Sequence, residues 1–388
     1  MVFAFSWGYN LARAYRVNDL AGGIVGMATL IQGIAFSYST SVATTVPANL
    51  MDEINAGTAT TGWSATAEGI TAGGWGWLNL NHLNGNAYFT VMIMGAISVI
   101  IFCKLMLANI TIKMPDSVPP AVSKAFAAIL PATIALYVIA IINFIVGQLT
   151  DGQLIIDLVQ KYIAEPFLGL SQGIGAVLIV TVFVQIFWFF GIHGPNVLAP
   201  VLEGIWGQAQ LINIDIFQKG YDGKTGTSAV LAAIEDGKAY MWVRGSFDAF
   251  AWFGGSGGTI VLLIAILVFS KRADYLTVAK LSIGPGIFNI NEPVMFGLPI
   301  VLNAIMFIPF IIAPLVATTI GWLATYWGLV SPVSQQVTWV VPPMLLSFLA
   351  TGADWRAPIV TLVCMVVTFF IWAPFVISAN KIDPKLGE

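Results

Sequence analysis

The chain has 388 residues, 58% of them hydrophobic and only 9% charged, with 16 Lys and Arg, 19 Asp and Glu and a formal net charge of −3. Soluble chains carry about 25% charged residues, so this one has too few to cover a soluble surface, and the mean hydropathy of +0.86 agrees. These values imply an integral membrane protein, and without a basic block they exclude nucleic-acid binding through phosphate neutralisation.

Apolar sequence begins at Val2 and reaches Arg13 in about a dozen residues, roughly half a bilayer. The positive charge follows the apolar stretch and no small-residue cleavage site comes next, which argues against a signal peptide. The segment is expected to be a truncated or partly interfacial first helix. Expected spans then follow at Leu20–Val46, Ala87–Ile110, Ile129–Leu149, Ile174–Phe190, Thr259–Ser270 with its flanks, Phe296–Tyr326 and Pro358–Ser378. The run Val330–Leu349 is interrupted by Pro332, Pro342 and Pro343 and reads as a broken or re-entrant segment. A helical period suits all of these, nothing reads as alternating barrel strands, and an all-α polytopic fold is expected. The 38 Gly and 19 Pro point to interrupted helices of the transporter kind.

Cys103 and Cys364 sit inside apolar runs, so neither a disulfide framework nor a Cys-based metal site is expected. His82 and His193 are the only histidines, too few for a His-rich metal site, and no cofactor is expected. Arg13 and Arg16 are followed by no Lys or Arg from Val17 through Cys103, after which Lys104, Lys113 and Lys124 fall in one short loop. Two crossings separate these clusters, which places both on one side, the cytoplasm, and the Asn49–Asn86 stretch outside. Lys219, Lys224, Lys238 and Arg244 mark a second basic region, Lys271, Arg272 and Lys280 a third, and Lys381 and Lys385 a basic tail. The C-terminus is expected inside. The sequon at Asn109-Ile-Thr111 then falls inside and is discarded.

Glu292 lies in Gly284-Pro-Gly-Ile-Phe-Asn-Ile-Asn-Glu-Pro-Val-Met-Phe-Gly-Leu-Pro-Ile-Val-Leu-Asn303, and no Lys or Arg occurs between Lys280 and Arg356. An ionisable residue at membrane depth is costly and by default marks a substrate or ion pathway. The surrounding Gly and Pro break a helix there, as is tolerated only where backbone is buried in protein or lines a polar cavity. Asn289, Asn291 and Asn303 add amide donors and acceptors of the kind a sugar hydroxyl network needs. The alternative is a structural Glu satisfied by backbone donors.

His193 follows the strongest apolar run, in Trp188-Phe-Phe-Gly-Ile-His-Gly-Pro195, where Gly191, Gly194 and Pro195 again signal a broken helix. A neutral imidazole both donates and accepts, so a ligand-facing role stands beside a structural one. His82 reads as a solvated loop residue. Gly254-Gly-Ser-Gly-Gly258 resembles a phosphate-cradling loop but lacks the following Lys-Ser/Thr, so close packing or hairpin geometry is the preferred reading. Trp75, Trp77, Trp252 and Trp339 are candidates for stacking on sugar faces, against the interfacial belts that take most Trp in membrane proteins.

Five segments together resemble the membrane (IIC) subunit of sugar phosphotransferase systems of the lactose/cellobiose family. They are Ile112-Lys-Met-Pro-Asp-Ser-Val-Pro-Pro-Ala-Val-Ser-Lys-Ala-Phe126, Gly191-Ile-His-Gly194, Phe253-Gly-Gly-Ser-Gly-Gly-Thr259, Phe288-Asn-Ile-Asn-Glu-Pro-Val-Met-Phe-Gly-Leu-Pro-Ile-Val-Leu-Asn303 and Thr351-Gly-Ala-Asp-Trp-Arg356. They occur in the family's order, and the Asn-Glu-Pro segment is the most specific. The resemblance implies a glucose-superfamily IIC fold of about nine to ten transmembrane helices with re-entrant hairpins. Residues 1–150 would form a dimer-interface domain and 151–388 a substrate-binding and transport domain. It implies a homodimer in the bacterial plasma membrane that binds an external β-linked disaccharide of cellobiose, lactose or diacetylchitobiose type. The sugar moves inward while a IIB subunit, charged by IIA, phosphorylates its 6-hydroxyl. It further implies that Glu292 and His193 bind hydroxyls near that position and carry the catalytic role, with Asn289, Asn291, Gly191 and Gly194 assisting.

Several features depart from the family pattern. The family usually has a full first helix and an amphipathic segment ahead of the position where this chain begins. Ala304 stands where the family often has Pro, and Gln218–Tyr240 is longer than usual. No IIA or IIB domain follows the last expected helix, so the phosphocysteine is expected on another chain. An ion-coupled sugar transporter using Glu292 as a proton site, and a non-transporting receptor or degenerate paralogue, are the competing readings.

Overall fold

The structure is a computed structural model and describes residues 1–58, 63–83, 87–115, 117–298, 300–301 and 303–381. Asp116 of the Ile112–Phe126 segment, Pro299 and Leu302 of the Glu292 segment, and Lys385 of the basic tail lie outside the described residues. The chain divides into two compact units, Met1–Glu165 and Pro166–Glu388. Among the described residues four helices are long and apolar enough to cross a membrane: Ala87–Leu107, Pro120–Leu149, Met306–Tyr326 and Arg356–Ala379.

In the first unit, helix Val2–Ala14 packs along Asp19–Gln32, whose N-cap Asn18 accepts from the Ala21 amide at 3.2 Å. Ala4, Gly8 and Ala12 recur every four residues on the buried face and meet Gly22 and Gly26. A Cβ on Gly8 would lie 2.3 Å from the Gly22 carbonyl oxygen, so the backbones approach as only small residues permit. Val25, Val99, Phe102, Cys103, Ala128 and Ala135 close the core behind them.

The all-α expectation needs one correction. The first long apolar run ends as helix at Gln32, and Ser37–Ala43 (β1) joins Trp63–Thr66 (β2) and Gly69–Trp75 (β3) in an antiparallel sheet of order β1-β3-β2. Ser37 pairs with Trp75 and Trp63 with Ala72. The physical reason lies in Ser37-Tyr-Ser-Thr-Ser-Val42, where hydroxyl side chains compete with helical hydrogen bonding and β-branched and aromatic residues favour a pleated surface.

His82 is also corrected: it is a buried tether, not a solvated loop residue. Its Nδ1 accepts from the Ala35 amide at 3.3 Å, and its Nε2 lies 3.0 Å from Asp157 Oδ1. The other Asp157 oxygen accepts from the Leu154 amide at 3.2 Å. The segment after the sheet is thereby bonded to the chain before β1 and to the helical turn at Ile155–Val159.

The second unit mixes long helices with short, interrupted ones around a core that includes Trp188, Trp242, Phe250, Phe253, Phe310 and Trp372. The Val330–Leu349 run is broken as expected: its helical part, Pro343–Ala350, starts after Pro342, whose fixed φ suits an N-cap. Beside it, Asp354 Oδ2 accepts from the Ser331 amide at 2.8 Å, the Ser331 hydroxyl at 2.7 Å and Arg356 Nη2 at 2.7 Å. Burial pushes this carboxyl up, but the hydrogen bonds from Arg356 and Ser331 outweigh it and hold the group well below the usual carboxylate range. Cys103 and Cys364 are both buried free thiols.

Candidate functional site

Helix Ile174–Phe189 ends at a tight turn in which Gly191 has φ +75°, a conformation open to glycine at little steric cost. The next helical turn, Gly194–Val197, is capped by His193, whose Nδ1 accepts from the Asn196 amide at 3.3 Å. A Cβ on Gly194 would lie 2.1 Å from the Val184 carbonyl oxygen, so the turn folds back tightly onto the helix it follows. The ring of buried Trp188 sits 4.6 Å from the imidazole, and its indole N–H donates to the Ser256 hydroxyl at 2.8 Å. With Nδ1 accepting, the neutral ring carries its proton on Nε2. That nitrogen lies 3.8 Å from Glu292 Oε1, too far for a direct hydrogen bond. Both side chains are partly exposed, 35% for His193 and 47% for Glu292, so each remains accessible to a ligand.

Glu292 owes its position to a second break. Helix Ala273–Ile287 carries Pro285 near its end, Asn289 turns the chain at φ +61°, and a short helix restarts at Glu292–Gly297 with Pro293 in its first turn. The Asn289 amide bonds entirely to backbone. It accepts from the Gly254 amide at 2.7 Å and donates to the carbonyls of Trp339 at 2.6 Å and Val341 at 2.8 Å. Asn291 donates to the Ser256 carbonyl at 3.0 Å. Asn303 stands apart, accepting from the Met306 amide at 3.2 Å at the start of the following helix.

The glycine-rich loop seals this arrangement. Gly254, Gly255, Gly257 and Gly258 all have positive φ, and a Cβ on Gly255 would lie 2.6 Å from Asn291 Cγ. Close packing is therefore its role here, as the missing Lys-Ser/Thr indicated.

A cavity of about 300 Å³ opens between these elements. His193, Asn289, Asn291 and Glu292 line it together; Gly191 and Gly194 do not, and instead set the turn that presents His193. Asn196, Ser256, Trp252 and Trp339 line it too, so two of the four Trp candidates reach the cavity, while Trp75 and Trp77 are exposed on and beside the sheet. The volume is at the small end of the range of about 300–1,000 Å³ for ligand sites. Its lining mixes indole faces, amides and carboxylates, which suits a neutral ligand rich in hydroxyl groups.

Three further residues were not anticipated. Arg244, counted from sequence among the loop charges, is partly buried and paired: its Nε donates to Glu203 Oε1 at 2.9 Å and its Nη1 to Asp248 Oδ2 at 2.7 Å. Arg244 and Asp248 line the cavity. Glu203 sits in a π-helical turn, Leu202–Gly207, a local form often found at functional sites. The only sequence signal was the i, i+4 spacing of Arg244 and Asp248 on one helix. Among the described residues no group of three or more His, Cys, Asp or Glu is placed to hold a metal ion.

Comparison with known proteins places the chain in a family. The family profile described as phosphotransferase system, EIIC, matches residues 1–314. Over 402 aligned residues the chain is 54% identical to the PTS system cellobiose-specific EIIC component of Lactococcus lactis subsp. lactis (strain IL1403), with 99% of this chain and 78% of that protein covered. It is 32% identical to the PTS system oligo-beta-mannoside-specific EIIC component of Bacillus subtilis (strain 168), with 98% of this chain and 76% of that protein covered. The crystal structure of the transporter ChbC, the IIC component from the N,N'-diacetylchitobiose-specific phosphotransferase system, aligns at a TM-score of 0.76 and 31% identity, covering 99% of this chain and 81% of that one. The profile match over most of the chain and the 54% identity lead to one conclusion: the chain belongs to the EIIC family, the membrane permease subunits of the sugar phosphotransferase system.

Proposed function

We propose that the chain binds a β-linked disaccharide of the cellobiose type in the His193–Glu292 cavity and carries it inward while a IIB subunit phosphorylates its 6-hydroxyl. The observation that carries this reading is the 3.8 Å gap between His193 Nε2 and Glu292 Oε1. One hydroxyl oxygen can sit within hydrogen-bond reach of both groups, accepting from the imidazole N–H while its own hydrogen is donated to the carboxylate. A hydroxyl held in this way has its oxygen lone pairs oriented and its proton already directed at a base. Phosphoryl transfer from a IIB phosphocysteine then forms the O–P bond, breaks the P–S bond and releases the hydroxyl proton to Glu292. Asn289, whose amide is committed to backbone, positions the Asn291–Glu292 turn against the glycine loop. The names of the relatives, which include cellobiose, oligo-β-mannoside and diacetylchitobiose systems, support a disaccharide-sized substrate.

The remaining elements of the reading are a homodimer with about nine to ten spanning helices and re-entrant hairpins, a cytoplasmic C-terminus, an N-terminal interface region and a C-terminal transport region. The Lys and Arg distribution supports the orientation. The test is uptake of labelled cellobiose into vesicles containing the protein. With phosphoenolpyruvate and the soluble phosphotransfer proteins including IIA and IIB, the product inside is sugar phosphate. Free sugar accumulating with a proton gradient alone would instead identify an ion-coupled transporter.

A further inference from the structure

The reading above uses His193 and Glu292 but leaves the most heavily charged part of the cavity without a task. Arg244 lies between Glu203 and Asp248, at 2.9 and 2.7 Å, and its guanidinium carbon is 4.8 Å from the centre of the Trp252 ring. The side chains of Arg244 and Asp248 are only 17% and 16% exposed. Desolvated ion pairs of this kind are usually no more stabilising than apolar residues of similar volume, so structural support is a weak reason for them. In a membrane protein, charges removed from water mark the ligand path by default. Arg244, Asp248 and Trp252 line the same cavity as His193 and Glu292, whereas Glu203 does not line it and holds Arg244 from behind.

Building on the permease reading, we propose that Asp248, with Arg244 fixed against Trp252, forms a subsite for the second sugar ring, the one that does not present the hydroxyl held by His193 and Glu292. The chemistry follows from the contacts. Arg244 engages Oδ2 of Asp248, and Oδ1 is the acceptor for ring hydroxyls, in charge-assisted hydrogen bonds stronger than an amide would make. The Glu203 contact holds the guanidinium in one place, and Trp252 gives it a flat face to lie on. The cavity thus carries two carboxylate acceptors, Glu292 and Asp248, each with a nitrogen donor near it, a lining suited to a neutral ligand of two hydroxylated rings.

The experiment is calorimetric titration of the purified full chain with cellobiose and, separately, with methyl β-D-glucopyranoside, which offers one ring only. Wild type should bind cellobiose at least tenfold more tightly than the monosaccharide. Asp248→Asn should cut cellobiose affinity at least tenfold and bring the ratio between the two sugars below threefold. Glu203→Gln, which loosens Arg244 but leaves the Asp248 acceptor in place, should cost less cellobiose affinity than Asp248→Asn does. Unchanged cellobiose affinity in Asp248→Asn, an equal proportional loss for both sugars, or equal losses in Asp248→Asn and Glu203→Gln would overturn the subsite. If Asp248→Asn does not yield folded protein, Asp248→Glu decides: it keeps the ion pair but displaces the acceptor, and must lose cellobiose affinity selectively for the proposal to stand. A wild-type protein that binds neither sugar overturns the permease reading itself, an outcome distinct from the failure of the subsite alone.

Discussion

Substituting Gly194 by Ala tests whether the placement of His193 depends on the close approach of two backbone segments. The added Cβ would lie 2.1 Å from the Val184 carbonyl oxygen, 2.8 Å from its carbon and 3.0 Å from its Cα, whereas ordinary contact begins at 3.4 Å. All three atoms belong to the backbone of helix Ile174–Phe189, so no side chain can rotate away. The turn must retreat by more than an ångström and take the adjacent His193 with it. Overpacking of this kind costs about 1–3 kcal/mol of stability. A displacement of about 1 Å in a positioned group costs roughly 100-fold in function, or about 2.7 kcal/mol. Gly175, near the start of the same helix, is the control: nothing lies within 4 Å of its added Cβ, and Gly175→Ala should be neutral or stabilise by up to about 1 kcal/mol. The assay is cellobiose titration by calorimetry alongside thermal unfolding of both variants. Wild-type affinity and melting temperature in Gly194→Ala would refute the reasoning, as would equal losses in the two variants.

Three other outcomes follow from contacts already described. Glu292→Gln removes the ionised acceptor facing His193; loss of a charge-assisted hydrogen bond is worth about 1.5–3 kcal/mol, so cellobiose affinity should fall at least tenfold by calorimetry. Asn289→Ala strips three hydrogen bonds from the backbones of Gly254, Trp339 and Val341 and should lower stability by at least about 2 kcal/mol in a denaturant titration; a smaller loss would mean that water replaces the amide. Folding holds Asp354 ionised to lower pH than in the unfolded chain, so its contribution is complete above the ordinary carboxylate range and is lost as the pH falls below it. Asp354→Asn should therefore lower the melting temperature at pH 7 and flatten its decline in acid, and a decline as steep as in wild type would show that other groups control it.

Glu292 and His193 were legible because chemistry and backbone signals coincide in each. Glu292 is an ionisable residue in a long apolar stretch broken by Gly and Pro, and His193 follows an apolar run that ends at Gly191 and Gly194. Four of the seven expected spans, those at Ala87–Leu107, Pro120–Leu149, Met306–Tyr326 and Arg356–Ala379, were legible because length and apolar composition carry the information. Arg244 was not, because its partners depend on tertiary structure. Glu203 is 41 positions away on a π-helical turn that no periodicity announces, and a basic residue beside the polar Gln218–Tyr240 stretch reads as a topology marker. The sheet was missed because β1 lies at the end of an apolar run, where the hydroxyls of Ser37, Ser39 and Ser41 barely interrupt the hydrophobic signal. His82 was missed because Asp157, its main partner, lies 75 residues further on.

The glycine loop has a consequence for how such a permease diversifies. Gly254, Gly255 and Gly257 combine left-handed backbone with neighbours that leave no room for a side chain: Ile260, Asn291 and Phe310 lie 2.2, 2.6 and 2.6 Å from where a Cβ would be built. Almost any single replacement there meets a steric collision as well as strain. That side of the cavity is closed to evolutionary drift, and the Asn289 and Asn291 turn bonded to it is nearly so. New sugar preferences are therefore expected at lining positions such as Asn196 and the Trp339 side chain, which make no contact with the glycine loop that would forbid a change.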